Sequence, residues 1–166
     1  MRYAAFLRAV NVAGQGKLPM AELRAIAEAA GFARVATYIQ SGNLVFETEI
    51  GAERAAAELS AGLERYFGRP VGVFIRTAEE MWAMEAGLPF GDAPGNQVGC
   101  LIMDSMTAGR VPKGCVDEVI VLGEGVVYIH FPSGMGRSKL DLGSLGVGTM
   151  RNANTVRKIG AMLRAM

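Results

Sequence analysis

The sequence is short of the residues that most often build a chemical site. Its 166 residues include two cysteines, Cys100 and Cys115, and a single histidine, His130. The cysteines form no CxxC pair, so a zinc centre of the Cys/His type lacks its ligands and no cofactor is implied. Both read as ordinary thiols of a cytoplasmic protein. No apolar run approaches the roughly 20 residues of a membrane span. The N-terminal stretch MRYAAFLRAV faintly resembles a secretion signal, but Arg8 breaks it too early. Lys and Arg number 17 against 16 Asp and Glu, a net charge of +1 that supplies no broad basic field for capturing DNA or RNA. A hydrophobic share of 51% excludes disorder and supports a core without staples.

Read along the chain, Tyr3 to Val10 is an apolar strand that ends in the glycine-rich loop VAGQGK. Pro19 suits the first turn of a helix, Leu23, Ile26, Ala27 and Ala30 give its stripe, and Gly31 stops it. ARVATYIQ and LVFET form a hairpin about SGN, an alanine-rich helix follows, and PVGVFIR is a fourth strand. The order strand, helix, strand, strand, helix, strand is the ferredoxin-like arrangement, so residues 1–76 are expected to form a ferredoxin-like subdomain. Thr77 with Glu80 makes a capping box, which begins a helix. Residues 77–166 are expected to form a second α+β subdomain packed on the first, with a degenerate duplication of the first half as one way to arrive at it. It reads as the strand VGCLIMD, the irregular or weakly helical SMTAGRVPKGCVDE, a hairpin about GEG, and a glycine-rich loop running into a helix. TMRNANTVRKIGAML then starts the last helix with Thr149 as its cap.

Alternation divides the first four strands into two faces. Tyr3, Ala5, Leu7, Leu44, Phe46, Val71, Val73 and Ile75 suit helix packing. The other set contains Phe6, Arg8, Tyr38, Gln40, Val45, Glu47, Phe74 and Arg76. Left open, its rings would stack bases as RNA-recognition modules do, yet the third strand lacks the paired aromatics and basic lead-in of those modules. Burial beneath the second half is the expectation, with Glu47 in an ion pair with Arg8 or Arg76 at the edge.

Three loops concentrate hydrogen-bonding groups: Arg8 to Lys17, Gln40 to Asn43, and Gly134 to Lys139. A glycine-rich strand-to-helix turn with a cation can hold a phosphate, although the P-loop spacing is not met. Read as a helix, TMRNANTVRKI puts Asn152 on the apolar stripe of Val156, Ile159 and Leu163, and Arg151, Thr155 and Lys158 on a face that could address an anion. No catalytic set is evident in the spacing of acids, serines and the one histidine.

LRAVNVAGQGKLPMAELR, TYIQSGNLVFE, GMGRSKL and TMRNANTVRKI, in that order, together resemble the bacterial family catalogued as domain of unknown function 1697. The resemblance runs from Arg2 to Leu163. Members typically read LRGINVGG where this chain has LRAVNVAG, and TRNWNTV where it has MRNANTV, so Ala9 and Ala13 stand for glycines and Ala153 for an aromatic ring. The resemblance brings no assigned activity. It implies an α+β protein, ferredoxin-like in part, with a signature of Arg8, Asn11, Ser41, Gly42, Asn43, Ser138, Lys139, Arg151, Asn152, Asn154 and Thr155.

The functional expectation is a small anionic ligand, phosphate- or nucleotide-like, held where the polar loops converge. Arg8, Lys17, Arg137, Lys139 and Arg151 would supply charge, and Asn11, Asn43, Ser138 and Asn154 would orient it. The alternatives are a nucleic-acid-binding module using the Phe6, Tyr38 and Phe74 face, and an enzyme assembled from the same polar groups.

Overall fold

The structure, a computed structural model, describes residues 1–105 and 112–166. Among the described residues it is a mixed α+β protein with two antiparallel four-stranded sheets and four α-helices. The chain divides into two compact units, Met1–Trp82 with Ile159–Met166, and Ala83–Lys158. These bounds differ from a simple cut after residue 76, because the last turns of the final helix return to the first unit. Among the described residues no helix is long and apolar enough to cross a membrane.

In the first unit, β1 (Arg2–Leu7), α1 (Met20–Ala29), β2 (Ala33–Tyr38), β3 (Asn43–Glu47), α2 (Ala52–Phe67) and β4 (Val73–Thr77) follow one another, and the strands lie in the order β2-β3-β1-β4. Alternation sets the packing. Tyr3, Ala5 and Leu7 of β1 join Leu44, Phe46 and Ile75, and against them lie Leu23 and Ala27 of α1 and Leu59 and Leu63 of α2. Phe32 stacks on Phe46 with ring centroids 4.2 Å apart. Each Leu- or Phe-sized side chain removed from water in this way contributes about 1.5–3 kcal/mol. On the opposite face Phe6 is 0% and Phe74 5% exposed, so neither ring offers a face for a base to stack on, whereas Tyr38 is partly exposed. Glu47 pairs with Arg2 at 3.5 Å and Arg34 at 3.1 Å, not with Arg8 or Arg76, because antiparallel register sets Arg2 directly opposite Glu47.

α3 (Ala78–Ala86) starts from the anticipated capping box: Thr77 N donates to Glu80 Oε2 at 2.7 Å, and Glu80 N donates to Thr77 Oγ1 at 3.1 Å. The returning end of α4 (Ala153–Arg164) is tied to the first unit by Arg2, whose Nη1 donates to Leu163 O. Trp82 Nε1 donates to Gly160 O.

The second unit contains β5 (Val98–Met103), β6 (Val119–Gly123), β7 (Val126–His130) and β8 (Gly148–Asn152), in the order β6-β7-β5-β8. Advancing every strand of the first sheet by four reproduces this order. Leu101, Val127, Ile129 and Phe131 pack with Leu145, and with Leu140 and Leu142 at their margin. Two expected features differ. The loop after β7 does not run into a helix. It forms two short 3₁₀ turns, Met135–Arg137 and Leu142–Leu145, since repeated glycine is too costly in a helix interior. Of the weakly helical segment expected before β6, residues 106–111 lie outside the described residues.

The second difference concerns TMRNANTV. Thr149 and Arg151 belong to β8, paired with β5 as Ile102↔Thr149 and Cys100↔Arg151. The helix starts later, at Ala153, and its cap is Asn152, whose Oδ1 accepts from Thr155 N at 2.9 Å. Arg151 therefore does not share a helical face with Thr155 and Lys158.

Candidate functional site

The glycine-rich segment after β1 is folded back by one side chain. Asn11 Nδ2 donates to Leu18 O at 2.9 Å and to Gln40 O at 2.7 Å, and its Oδ1 accepts from Leu18 N at 2.7 Å. Asn11 has a φ of 54°, in the left-handed region that asparagine tolerates better than most residues. The loop is also held by the end of α2 and the residues after it: Tyr66 Oη donates to Lys17 O, and Arg69 Nη2 donates to Gln15 O at 2.7 Å while its guanidinium lies over the Phe67 ring. The second polar loop meets the first at Gly42. A Cβ there would lie 2.6 Å from Val10 Cγ2, and φ is +80°, so glycine is required. Asn43 is fully buried, with Nδ2 donating to Tyr38 O and Ser41 Oγ, both at 2.9 Å.

These bonds leave an open cleft of about 540 Å³ along the loop, reaching Pro19 at the start of α1 and Gln40. Gly14, Gly16 and Lys17 line it, Lys17 is the one cation in the lining, and no acidic residue takes part. The Lys17 ammonium makes no ion pair among the described residues. Pro19 at the helix cap provides no side-chain acceptor, so the first amides of α1 have no capping side chain. Arg8 and Asn43 lie outside this lining. Arg8 is exposed beside Gly72.

In the second unit Arg137, Ser138 and Lys139 border a smaller cleft of about 290 Å³ with Asp117, Glu118 and Ser133. Ser133 Oγ donates to Asp117 Oδ2 at 2.7 Å, and Ser138 Oγ donates to Glu118 Oε1. Glu118 Oε2 accepts from Val116 N at 2.7 Å. The Ser138 hydroxyl, followed by neighbouring backbone amides, holds the Glu118 carboxyl down at about 2. Neither acid had been singled out in the sequence, although adjacent Asp117 and Glu118 before a strand were a visible signal. Arg151 and Asn154 do not border this cleft. Arg151 is 7% exposed, donates to Thr149 Oγ1 and to Met150 O, both at 2.8 Å, and burial pushes its guanidinium down to about 10. Asn154 is exposed, with its Oδ1 occupying the space that a side chain at Gly95 would take.

Burial pushes the Cys100 thiol up to about 12, against a smaller opposing pull from Arg157. His130 ends β7 with its ring centroid 5.3 Å from that of Phe90, and its Nε2 is buried without a hydrogen-bond partner among the described residues. Among the described residues no three metal-ligating side chains come together.

Residues 1–128 match the family described as Protein of unknown function (DUF1697). The chain belongs to this family. A solved structure described as conserved bacterial protein SP0830 from Streptococcus pneumoniae is similar over 98% of both chains, with a TM-score of 0.75 and 25% identity. No curated protein matches the sequence. Within the DUF1697 pattern, Ala9 replaces the usual glycine at a position whose φ is 55°, so this chain accepts left-handed strain there. Ala153, in place of the usual aromatic, is fully buried as the first residue of α4.

Proposed function

We propose that this protein binds a small phosphate-bearing anion, of inorganic-phosphate to nucleotide size, in the cleft between the glycine-rich loop and the start of α1, and that it does so in the cytoplasm. The observation that carries this reading is the lining: Lys17 is its one charged residue, and its ammonium has no ion-pair partner among the described residues. Gly14 and Gly16 belong to the lining, and Pro19 brings the uncapped start of α1 to its edge, so backbone amides there are the further donors this reading calls on. Glu22, in the first turn of α1, opposes this in part, which leaves Lys17 as the deciding group. A volume of about 540 Å³ falls within the usual range of small-ligand sites.

Asn11 acts here by holding the loop, since its amide is bonded to backbone on both sides. The reading is one of binding: neither a paired base and nucleophile nor a metal-ligating group lines the cleft. Calorimetric titration with pyrophosphate and with ADP tests it. Saturable binding by the native chain, weakened about tenfold or more in Lys17→Ala, is expected. Equal affinity of Lys17→Ala and the native chain for both ligands, or no heat from either, would overturn it.

A further inference from the structure

The two sheets present four outer strands, and three of them carry a device that discourages another strand from pairing. β2 has an irregular register between Ala33 and Ala36 and contains Arg34 at a φ of 52°. β4 contains Arg76 and β8 contains Arg151. β6 has none of these. It reads VIVLG, pairs with β7 in five uninterrupted steps, and exposes Val119 to 49%, Val121 to 38% and Leu122 to 60%. Val116, just before it, is 86% exposed. Alternate residues of an edge strand direct their N–H and C=O groups away from the sheet. Among the described residues, nothing occupies those groups on β6. Regular, uncharged edges are the ones that accept a further strand.

The flanks of this strand specify the visitor. Asp117 and Glu118 precede β6 and Glu124 follows it, so an apolar edge is bracketed by acids. Asp117 and Glu118 are engaged by Ser133 and Ser138, whereas Glu124 is exposed in the β6–β7 turn. A second copy of the chain is a poor match. Two-fold antiparallel pairing centred on Val121 would set Glu118 opposite Glu124 at both ends, and like charges directly opposite are destabilising.

We propose that the outer edge of β6 docks an extended segment of another protein, aliphatic at alternate positions and flanked by lysine or arginine, which adds a fifth strand to this sheet. Main-chain hydrogen bonds supply the attraction, Val119 and Val121 offer an apolar surface on one face of the sheet and Leu122 on the other, and a cation beside Glu124 sets direction and register. One short strand covers less than the roughly 1,200 Å² of a stable interface, so the association is weak and reversible. This site is separate from the glycine-rich cleft and does not depend on it.

The test is an NMR titration of the isotope-labelled full chain with a lysine-flanked peptide of alternating valine and threonine, and with the same peptide flanked by glutamate. Saturable shifts and slowed amide exchange confined to Val119–Gly123 are expected, with the glutamate peptide weaker by about tenfold. Glu124→Lys should reverse the preference. Leu122→Lys, at a position already facing water, should weaken the lysine peptide about tenfold with an unchanged melting curve. Equal affinity for the two peptides, shifts centred elsewhere, or no saturable shift would overturn the proposal. So would sedimentation that shows a native dimer which Leu122→Lys dissolves, because the occupant would then be a second copy.

Discussion

Replacing Asn11 by alanine tests how the cleft is held in shape. The substitution removes three hydrogen bonds, to Leu18 O, to Gln40 O and from Leu18 N, at 2.7–2.9 Å. Each contributes about 0.5–1.5 kcal/mol net, and partial exposure of Asn11 lets water recover some of that. Alanine must also adopt a φ of 54°, which costs about 1–2 kcal/mol for a residue with a plain Cβ. The sum is about 3 kcal/mol, read as a fall in the urea midpoint at unchanged slope, and as a drop of roughly 6–12 °C in melting temperature for a chain of this size. Asn11→Gly separates the two causes. It loses the same bonds without the left-handed strain, so it should be about 1 kcal/mol more stable than Asn11→Ala. An Asn11→Ala protein within about 1 kcal/mol of the native chain would refute the reasoning, as would identical stabilities of the alanine and glycine variants.

Ala9→Gly should raise stability by about 1 kcal/mol in the same urea assay, because φ at Ala9 is 55°; a loss would show that the Ala9 side chain matters more than its strain. A thiol reagent at pH 8 should label Cys115 alone in the native chain and both cysteines in denaturant, since Cys100 is fully buried and Cys115 exposed. The neutral Cys100 thiol, held at about 12 against an ordinary 9.0, contributes stability that is complete below pH 9 and is lost as the pH rises from 9 toward 12; Cys100→Ala should flatten that alkaline slope. For Glu118 the sign is opposite: its folded value is lowered, so its contribution is present above about pH 4.5 and is lost as the pH falls toward 2. Ser138→Ala should move its carboxyl titration, followed by NMR, upward toward 4.5.

The first unit was legible because its signals are local. Tyr3, Ala5 and Leu7 alternate, Leu59 and Leu63 recur one helical turn apart, and Thr77 and Glu80 form a cap that involves only four consecutive residues. β8 was hidden for the opposite reason. GTMRN has two polar side chains directed inward, Thr149 and Arg151, and only pairing with β5, some fifty residues earlier, makes it a strand. The polar character of the loops was also readable, but the use of each side chain was not. Asn11 and Asn43 read equally well as ligand donors and as backbone staples until their partners were known. The bond from Ser138 to Glu118 spans 20 residues and leaves no mark in spacing. The outer position of β6 follows from sheet order, which alternation alone does not give.

In the proposed site Lys17 and the loop amides act together on one anion. The direct measurement is the backbone amide spectrum of the isotope-labelled chain during titration with pyrophosphate, for the native protein and for Lys17→Ala. Saturable shifts are expected at Gly14, Gly16, Lys17 and the first turn of α1, with the Lys17→Ala titration displaced about tenfold to higher ligand concentration. Unmoved Gly14 and Gly16 amides, or the same titration curve for both proteins, would contradict it.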